Sequence, residues 1–486
     1  MQPSSKRPAQ QYNSGVSRRQ FITHMGLAAT ALATPSLLRA RSQDNVIIIG
    51  AGLSGLQAAL ILEHSGLKVT VLEGSNRIGG RLYTLDDVPG KPEGGGNTIG
   101  SIYGRTIATA NRLGIELLES TPTPGSEPIR ELLDIQQQRV LPTDWLQSEL
   151  NPFKGNEKVR SPAAMLWSQI GANPLRRFGE WREPWMQHWD IAVDDFLRHK
   201  GITDDALALM GANNSYGTTL ANTSLLNLYR IMSTSALTAD APRKSYSVAG
   251  GNQRLPEAMA ASLHSEVILN RQVRAIAQSS DKITVTCENG ETFEAKHVIA
   301  AVPFSALRHV AISPSLPELQ QRSISNLAYA EVYQIHMVVE KPFWQGSGYL
   351  PNAWSDGPLG RIFASDPANT GAITNMVSWV TGAAALALDK LTQDEVSELT
   401  LREIARIMPE SKGAIRIAKQ VSWQKSQLAG GSWAAWAPGQ ISAFARSMAQ
   451  PAGNLHFAGE HTAVSMPGME GALESGERAA MEILTK

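Results

Sequence analysis

The chain has 486 residues, no net formal charge at pH 7 and 42% apolar residues. This balance excludes the basic surface typical of nucleic-acid-binding proteins and the long charged runs of acidic tails. Because the chain has one cysteine, Cys287, and no Cys/His cluster with zinc spacing, we expect neither an internal disulfide nor a metal site.

Residues 1–43 are interpreted as an export signal followed by a linker. Arg18 and Arg19 form a twin-arginine pair, and the apolar run at 25–34 is too short to span a bilayer. The pattern predicts a bacterial periplasmic protein without stable membrane insertion. The alternative is an ordinary N-terminal tail with a chance Arg-Arg pair.

The most informative stretch is a strand, turn and helix at residues 46–59. Four apolar β-branched residues predict a buried parallel strand, and Gly50, Gly52 and Gly55 follow with Gly-x-Gly-x-x-Gly spacing. Gly50 provides the turn, Gly52 lets the backbone approach a pyrophosphate, and Gly55 lets helix and strand pack closely. The N–H groups at the helix start, near Ser54, attract phosphate.

The second half of a dinucleotide site follows at once. Residues 67–72 predict another parallel strand, and it ends in Glu73, 21 residues beyond Gly52. A carboxylate in this place accepts hydrogen bonds from both ribose hydroxyls and disfavours a 2′-phosphate. We therefore predict a dinucleotide-binding domain.

Beyond Glu73 the chain continues with arginines and glycines. Arg77 and the Gly79-Gly80-Arg81 triplet complete a Glu-x-x-x-Arg-x-Gly-Gly-Arg motif, and a second glycine-rich stretch lies at 94–100. In these motifs the chain resembles the flavin amine oxidase family. The resemblance implies FAD rather than a nicotinamide. It gives, with the glycine motifs, these cofactor-binding residues: Gly50, Gly52, Ser54, Gly55, Glu73, Gly74, Arg77, Gly80, Arg81, Gly95, Gly96, Asn97, Val273, Trp423, Gly459, Glu460, Gly468 and Met469.

Residues 104–242 predict a mostly helical insertion with few strand signals. Tyr216 is a candidate pocket wall, and His188 alone is more typical of a surface residue than of a catalyst. Five tryptophans could line an entrance for an apolar substrate, although packing between helices is their commoner role: Trp145, Trp167, Trp181, Trp185 and Trp189.

The dinucleotide domain resumes near residue 248. Residues 267–276 predict one strand, in which Val273 is expected, by the resemblance, to touch the adenine through its backbone. A hairpin with its turn at 288–290 follows, and we expect its partner strand to run on to residue 303.

A departure from the family pattern lies in a predicted strand at 332–339. Counting back from the Pro342-Phe343-Trp344 triplet, which resembles the family, Gln334 stands where many members carry a lysine that holds a water near flavin N5. An amide can hold water but has no charge. The electron acceptor, oxygen or a periplasmic redox protein, is therefore left open. The alternative role of Gln334 is that of a simple strand residue facing the cavity.

The C-terminal motifs concern the flavin and the substrate. The family's last helix, here opening at 467–472, points its N-terminus at the reduced flavin, whose negative charge it stabilises. Ser432 replaces a cysteine that attaches FAD in some members, so we expect non-covalent FAD. Trp433 matches one wall of an aromatic cage, whereas the opposite wall falls on Gly468. A one-sided cage weakens cation–π attraction and favours a bulky or secondary amine.

We predict an α/β protein with a Rossmann-like FAD-binding domain (44–117, 245–323 and 426–486) and a mixed-sheet and helical substrate domain (118–244 and 324–425). The resemblance implies hydride transfer from an amine to flavin, then hydrolysis of the imine to an aldehyde or ketone. Gln334, Trp433 and Trp423 are the candidate catalytic residues, and the substrate pocket is assigned to Trp433, Gly468, Thr98 and Tyr216.

Three alternatives stay open at this stage. An L-amino-acid oxidase needs a cation for the substrate carboxylate, for which Arg105 is the candidate. A non-catalytic FAD-binding protein would explain the Gln334 and Gly468 departures. A carotenoid-type desaturase shares the glycine motifs but fits the other motifs less well. We expect a small-molecule amine as partner, no nucleic acid, and a homodimer as the candidate assembly.

Overall fold

The computed structural model describes residues 44–120, 131–236, 244–347, 349–367 and 372–486. The twin-arginine segment lies outside these residues, and so does part of the predicted helical insertion. The described residues belong to one unit, Asp44–Lys486. In these residues no helix is both long enough and apolar enough to cross a membrane.

The strands of the described residues form four sheets. They are β1 (Asn45–Ile49), β2 (Lys68–Leu72), β3 (Ile99–Gly100), β4 (Leu117–Ser120), β5 (Leu132–Ile135), β6 (Gln138–Val140), β7 (Ser245–Val248), β8 (Val267–Ile268), β9 (Val273–Gln278), β10 (Ile283–Cys287), β11 (Thr292–Ala295), β12 (His297–Ala300), β13 (Ala311–Ser313), β14 (Val332–Val339), β15 (Ala353–Ser355), β16 (Arg361–Ser365), β17 (Asn375–Thr381), β18 (Ile415–Ser422) and β19 (Leu455–Phe457).

The α-helices surround these sheets. They are α1 (Leu53–His64), α2 (Gly104–Arg112), α3 (Pro162–Ile170), α4 (Val193–His199), α5 (Asp204–Gly211), α6 (Leu225–Ala236), α7 (Arg254–Ala261), α8 (Phe304–Leu307), α9 (Glu318–Asn326), α10 (Gly382–Leu388), α11 (Gln393–Ile407), α12 (Gln440–Phe444) and α13 (Gly468–Leu484). Short 3-10 helices lie at Trp145–Gln147, Gly155–Val159, Glu180–Arg182, Pro184–Trp189, Leu220–Asn222, Pro409–Ser411 and Glu460–Thr462.

A five-stranded parallel sheet is the base of the dinucleotide fold. Its order is β19-β12-β1-β2-β8, with β1 in the centre. The strands come from three distant parts of the chain. The central strand is buried from Val46 to Ile49, which explains its continuous apolar sequence, since a parallel sheet is covered on both faces. The fold is a mixed α/β fold, as predicted, whereas the domain boundaries stay a prediction.

Two strand predictions were wrong. Residues 267–276 do not form one strand: β8 joins the parallel sheet, whereas β9 belongs to a four-stranded sheet of order β11-β10-β9-β13. Asn270 adopts a left-handed φ of 57° between them. The hairpin partner also stops early, because β11 ends at Ala295 and β12 begins a separate strand of the parallel sheet. In both cases, two strands that follow each other in the sequence belong to different sheets.

A seven-stranded sheet of order β18-β14-β17-β16-β15-β5-β6 forms the second large layer. Its strand β14 has the predicted bounds, and its register places Gln334 opposite Trp379 on β17 and Val421 on β18. Gln334 on β14 is a candidate site residue, and β18 ends one residue before another, Trp423. A three-stranded sheet, β3-β7-β4, joins the early and middle parts of the chain.

The first and last helices pack closely. A Cβ atom on Gly476 of α13 would lie 2.2 Å from the backbone oxygen of Ser54 on α1, so only glycine permits this approach. Gly471 of the same helix is similarly confined, with a Cβ position 2.0 Å from the Met466 oxygen. The last helix is therefore fixed directly against the dinucleotide corner.

Buried histidines make the fold sensitive to acid. Burial, aided by neighbouring His456, lowers the pKa of His297 to about 4. Burial also lowers the pKa of His336 to about 4. In the unfolded chain these rings protonate near pH 6.5, so the unfolded state binds protons first as the pH falls. We expect full stability from this source above pH 6.5 and a loss of about 3 kcal/mol from His336 alone by pH 4.

Chemical denaturation at pH 7 and pH 5 measures this effect. His297→Gln and His336→Gln should each reduce the loss of unfolding free energy between the two pH values, relative to the wild type. Burial raises the pKa of Glu93 to about 7, which acts in the opposite direction, so the comparison is between variant and wild type. An unchanged pH dependence in both variants would contradict the assignment.

Candidate active site

One cavity of about 980 Å³ collects almost every residue predicted for the site. Of the residues assigned to cofactor binding, catalysis or the substrate pocket, only Gly55 is absent from its wall, and a Cβ there would lie 2.0 Å from the Gly50 oxygen. The predicted residues in the wall are Gly50, Gly52, Ser54, Glu73, Gly74, Arg77, Gly80, Arg81, Gly95, Gly96, Asn97, Thr98, Tyr216, Val273, Gln334, Trp423, Trp433, Gly459, Glu460, Gly468 and Met469.

The turn after β1 leaves backbone donors open to this cavity. Gly50 adopts a φ of 105°, and nothing lies within 4 Å of a Cβ position on Gly52. Gly52 is the N-cap of α1, and no side chain caps this helix. The first N–H groups of the helix and its positive dipole end are thus available to an anionic group in the cavity.

The carboxylate of Glu73 lies beside the turn after β1 and forms hydrogen bonds there. Oε2 accepts a hydrogen bond from the Ala51 N–H at 2.8 Å, and Oε1 accepts from the backbone N–H and the hydroxyl of Ser75, both at 2.8 Å. The residue is buried, with 7% exposure, and lines the cavity. The carboxylate therefore ties the two strand ends together beside the cavity, where its remaining lone pairs can receive hydroxyl groups.

The two motif arginines are engaged within the protein. Arg77 donates to the carbonyl oxygens of Gly80 at 2.6 Å and Leu82 at 3.0 Å, so it braces the glycine-rich turn. Arg81 donates to the Ser432 oxygen at 2.8 Å and pairs with Glu460 at 3.0 Å. Arg81 thereby links the early motif to the C-terminal motifs that the sequence places more than 350 residues later.

The second glycine-rich stretch is held close to other backbone. A Cβ atom on Gly95 would lie 2.1 Å from the Arg81 oxygen. Trp423 donates from Nε1 to the Gly94 oxygen at 2.8 Å, and Asn252 donates to the Gly96 oxygen at 2.8 Å. These bonds fix a flat strip of backbone along the cavity.

A second uncapped helix start opens on the same cavity. Helix α13 has Pro467 as its N-cap without a capping side chain, and Gly468 and Met469 line the wall. Gly468 has a left-handed φ of 70°. Two helix N-termini therefore face one cavity, which suits a ligand with two separate negatively charged regions.

Two aromatic side chains outside the sequence motifs, Trp379 and Tyr103, join the predicted Trp433 and Tyr216 at this end of the cavity. Trp379 lies almost parallel to Trp433, with ring centroids 6.3 Å apart and 18° between the planes. The Tyr103 hydroxyl lies 3.7 Å from the Cβ position of Gly468, so a phenol occupies space near the missing wall. Burial raises the pKa of Tyr216 to about 12, so its phenol is neutral. All four aromatic residues line the cavity.

Several candidates lie elsewhere. Arg105 is not in the cavity wall, and it pairs with Glu470 at 3.5 Å and Glu477 at 2.8 Å. His188 is exposed. The five tryptophans of the helical insertion are also outside the wall: four lie in the core or pack against it, whereas Trp185 is 55% exposed. Among the described residues, no group of three or more His, Cys, Asp or Glu side chains has a geometry for a metal ion.

The residues present fit FAD. The open space over Gly52 and the uncapped start of α1 suit a diphosphate, Glu73 suits the ribose, and the start of α13 suits the electron-rich edge of a reduced flavin. Fold and cavity together define the class of flavin-dependent oxidoreductases.

Comparison with known proteins gives the family. The family model described as flavin containing amine oxidoreductase matches residues 53–484, and the chain belongs to this family. It is 27% identical over 474 residues to a flavin-containing amine oxidase of Danio rerio, covering 90% of this chain and 85% of the relative. It is also 27% identical over 477 residues to human flavin-containing amine oxidase B, covering 90% and 86%.

Solved structures show the same fold. Cyclohexylamine oxidase from Brevibacterium oxydans IH-35A superimposes with a TM-score of 0.73 at 20% identity, covering 91% of this chain and all of that one. Putrescine oxidase bound to putrescine superimposes with a TM-score of 0.73 at 24% identity, covering 91% and 99%. These structures show the fold, while the family match makes the protein an amine-acting oxidoreductase with a flavin cofactor, FAD.

Proposed function

We propose that the protein oxidises a bulky or secondary amine to an imine, which water hydrolyses to an aldehyde or ketone. When bound, FAD supplies the acceptor for the hydride that leaves the carbon beside the nitrogen. The observation that carries the substrate proposal is the aromatic end of the cavity, formed by Trp379, Trp433, Tyr103 and Tyr216. Such surfaces bind apolar groups and attract the cationic form of an amine.

The shape of this end supports a larger amine. Gly468 has no side chain, and apart from its chain neighbours and its own helix, the nearest atom to a Cβ position there is the Tyr103 hydroxyl at 3.7 Å. The backbone of Trp433 is fixed, since its oxygen accepts from the Ala330 N–H at 2.9 Å, and its Nε1 donates to the Ser215 oxygen at 3.0 Å. The indole is thus a rigid surface against which a substrate is oriented.

The amino-acid-oxidase alternative loses its candidate cation. Arg105 is held by Glu470 and Glu477 and is not in the wall. Arg81, which is in the wall, is neutralised by Glu460 at 3.0 Å. These pairings favour a substrate without an α-carboxylate.

The chemistry requires orientation rather than a general base. Hydride transfer proceeds from an amine that has already lost its proton, and the protein's task is to position it and to exclude water. Gln334 is neutral and buried, so it offers hydrogen bonding without charge. We expect flavin reduction to accelerate with rising pH as the bound amine deprotonates, and a flat profile would count against this picture.

Anaerobic stopped-flow reduction of the holoenzyme by a panel of amines tests the proposal. Each amine is paired with its α-carboxylated analogue, because the preferred member separates amine oxidase from amino-acid oxidase. Rapid bleaching by bulky or secondary amines is the expected result. If no amine bleaches the flavin while dithionite does, the protein is a non-catalytic FAD-binding protein.

Non-covalent FAD is proposed from Ser432. Its Oγ is buried with no hydrogen-bond partner among the described residues, and Ser432 lines the cavity. Acid precipitation of the wild type should release all flavin into the supernatant. Ser432→Cys restores the residue through which some family members attach FAD and should retain flavin in the pellet. Flavin that stays with wild-type protein would contradict the proposal.

The proposed setting is the bacterial periplasm after twin-arginine export. Such export carries folded proteins, which suits a chain that folds around its cofactor. Fractionation that finds only uncleaved protein in the cytoplasm would overturn this.

The electron acceptor and the assembly have tests of their own. Mixing the reduced enzyme with oxygen separates an oxidase from a dehydrogenase that uses a redox protein. Sedimentation tests the proposed homodimer.

A further inference from the structure

A buried hydrogen bond joins Gln334 to His336. The two residues are separated by one position on β14, so their side chains lie on the same face of the strand. Gln334 Oε1 and His336 Nε2 are 2.7 Å apart, and the residues are 1% and 2% exposed. Only Gln334 of this pair lines the cavity, with His336 behind it.

The direction of this bond follows from the atoms. An amide oxygen only accepts, so the imidazole donates through Nε2–H and is in the corresponding neutral tautomer. Burial lowers the pKa of His336 to about 4, which keeps the ring neutral near pH 7. The pair therefore has no charge, in contrast to a lysine at the same position.

The bond also determines which end of the amide faces the cavity. Because Oε1 is held by His336, the NH₂ group is directed away from the imidazole. Nε2 of Gln334 has no hydrogen-bond partner in the part of the chain that the structure describes, and Gln334 contributes to the cavity wall. An unrestrained glutamine could present either its oxygen or its NH₂ group there.

We propose that His336 is a positioning residue that holds Gln334 with its N–H groups directed into the cavity, where they act on FAD as a neutral hydrogen-bond donor. The inference rests on the proposed function because it takes the end of the cavity lined by Gln334, Trp379 and Gly468 as the place of the flavin ring. A donor near the redox-active ring stabilises the reduced, electron-rich form. Loss of this donor should lower the reduction potential of bound FAD.

A double-mutant cycle on the reduction potential tests this without an amine. The potential of the holoenzyme is measured against a reference dye during reductive titration with dithionite. His336→Leu and Gln334→Met should each lower the reduced-to-oxidised ratio at a given dye potential by about 3- to 10-fold, the effect of one hydrogen bond. The double variant should match Gln334→Met, because His336 acts only through Gln334.

Two further variants distinguish positioning from structural damage. His336→Gln keeps an N–H donor and should restore a potential near that of the wild type. Tyr333→Phe is a matched control, because it removes a 2.7 Å hydrogen bond to Gln420 from the opposite face of the same strand and should leave the potential unchanged. If His336→Leu does not fold, His336→Asn, whose amide is too short to reach, takes its place.

The inference is overturned if His336→Leu leaves the potential unchanged. It is also overturned if His336→Leu shifts the potential as much in the Gln334→Met background as in the wild type. These outcomes are independent of substrate. A failed proposed function appears as flavin that no amine reduces, whereas a failed positioning role appears only in the dye titration.

Discussion

Glu73→Gln should yield a folded protein that binds FAD at least about 100-fold more weakly than the wild type. The carboxylate accepts from three donors, the Ala51 N–H, the Ser75 N–H and the Ser75 hydroxyl. An amide must direct its own N–H groups at one of these sites, and hydrogen bonds to charged groups contribute about 1.5–3 kcal/mol each. The substitution therefore disturbs the turn that suits the diphosphate. It also removes the carboxylate that suits the ribose.

Titration of apoprotein with FAD by fluorescence quenching measures the loss. Glu63→Gln is the matched control, because Glu63 also accepts from two backbone N–H groups, those of His264 at 2.8 Å and Ser265 at 3.0 Å, outside the cavity wall. The two variants should lose comparable thermal stability, but only Glu73→Gln should lose FAD affinity. Equal FAD affinity in both would refute a direct role for Glu73.

Trp433→Ala is expected to lower kcat/KM for the best amine about 100-fold, because a central tryptophan supplies both area and cation–π attraction. Trp379→Ala should have a smaller effect of about 10-fold, since its ring supports Trp433 as well as the substrate. The rings are stacked with centroids 6.3 Å apart, so the double variant should lose less than the product of the single losses.

The measurement is the rate of anaerobic flavin reduction at low amine concentration. Trp185→Ala serves as the control, because this indole is 55% exposed and outside the cavity wall. Dithionite reduction should be normal in every variant, which separates substrate orientation from damage to the flavin site. Wild-type kcat/KM in Trp433→Ala would exclude this indole from the substrate site.

The parts of the site that were predictable from sequence are those in which neighbouring residues carry the whole signal. Gly50, Gly52 and Gly55 lie within one short stretch, so their spacing in the sequence is enough to predict the shape of the turn. Residues 267–276 were predicted as one strand because strand-forming residues stand on both sides of the polar stretch at 270–272. The break depends on distant partners: the Asn270 N–H donates to the backbone oxygen of Ser75, and the Arg271 N–H donates to that of Glu73. No local pattern records such a choice of sheet.

Trp379 and His336 were missed for different reasons. Trp379 belongs to no motif, and only the register of β14 with β17 brings it beside Gln334. His336 left a readable signal, since a polar pair at positions i and i+2 of an otherwise apolar buried strand lies on one face. Tyr103 also belongs to no motif, and only the structure shows that its hydroxyl lies 3.7 Å from the Cβ position of Gly468.

The close packing of the last helix on the first sets an order of events during protein synthesis. The corner at residues 50–55 is synthesised early, whereas strand β19 and Gly476, which abuts Ser54, follow long afterwards. Nascent chains that stop short of residue 455 lack an edge strand of the parallel sheet and the helix start that faces the flavin. We therefore expect FAD to bind only after α13 has been synthesised and has packed against this corner.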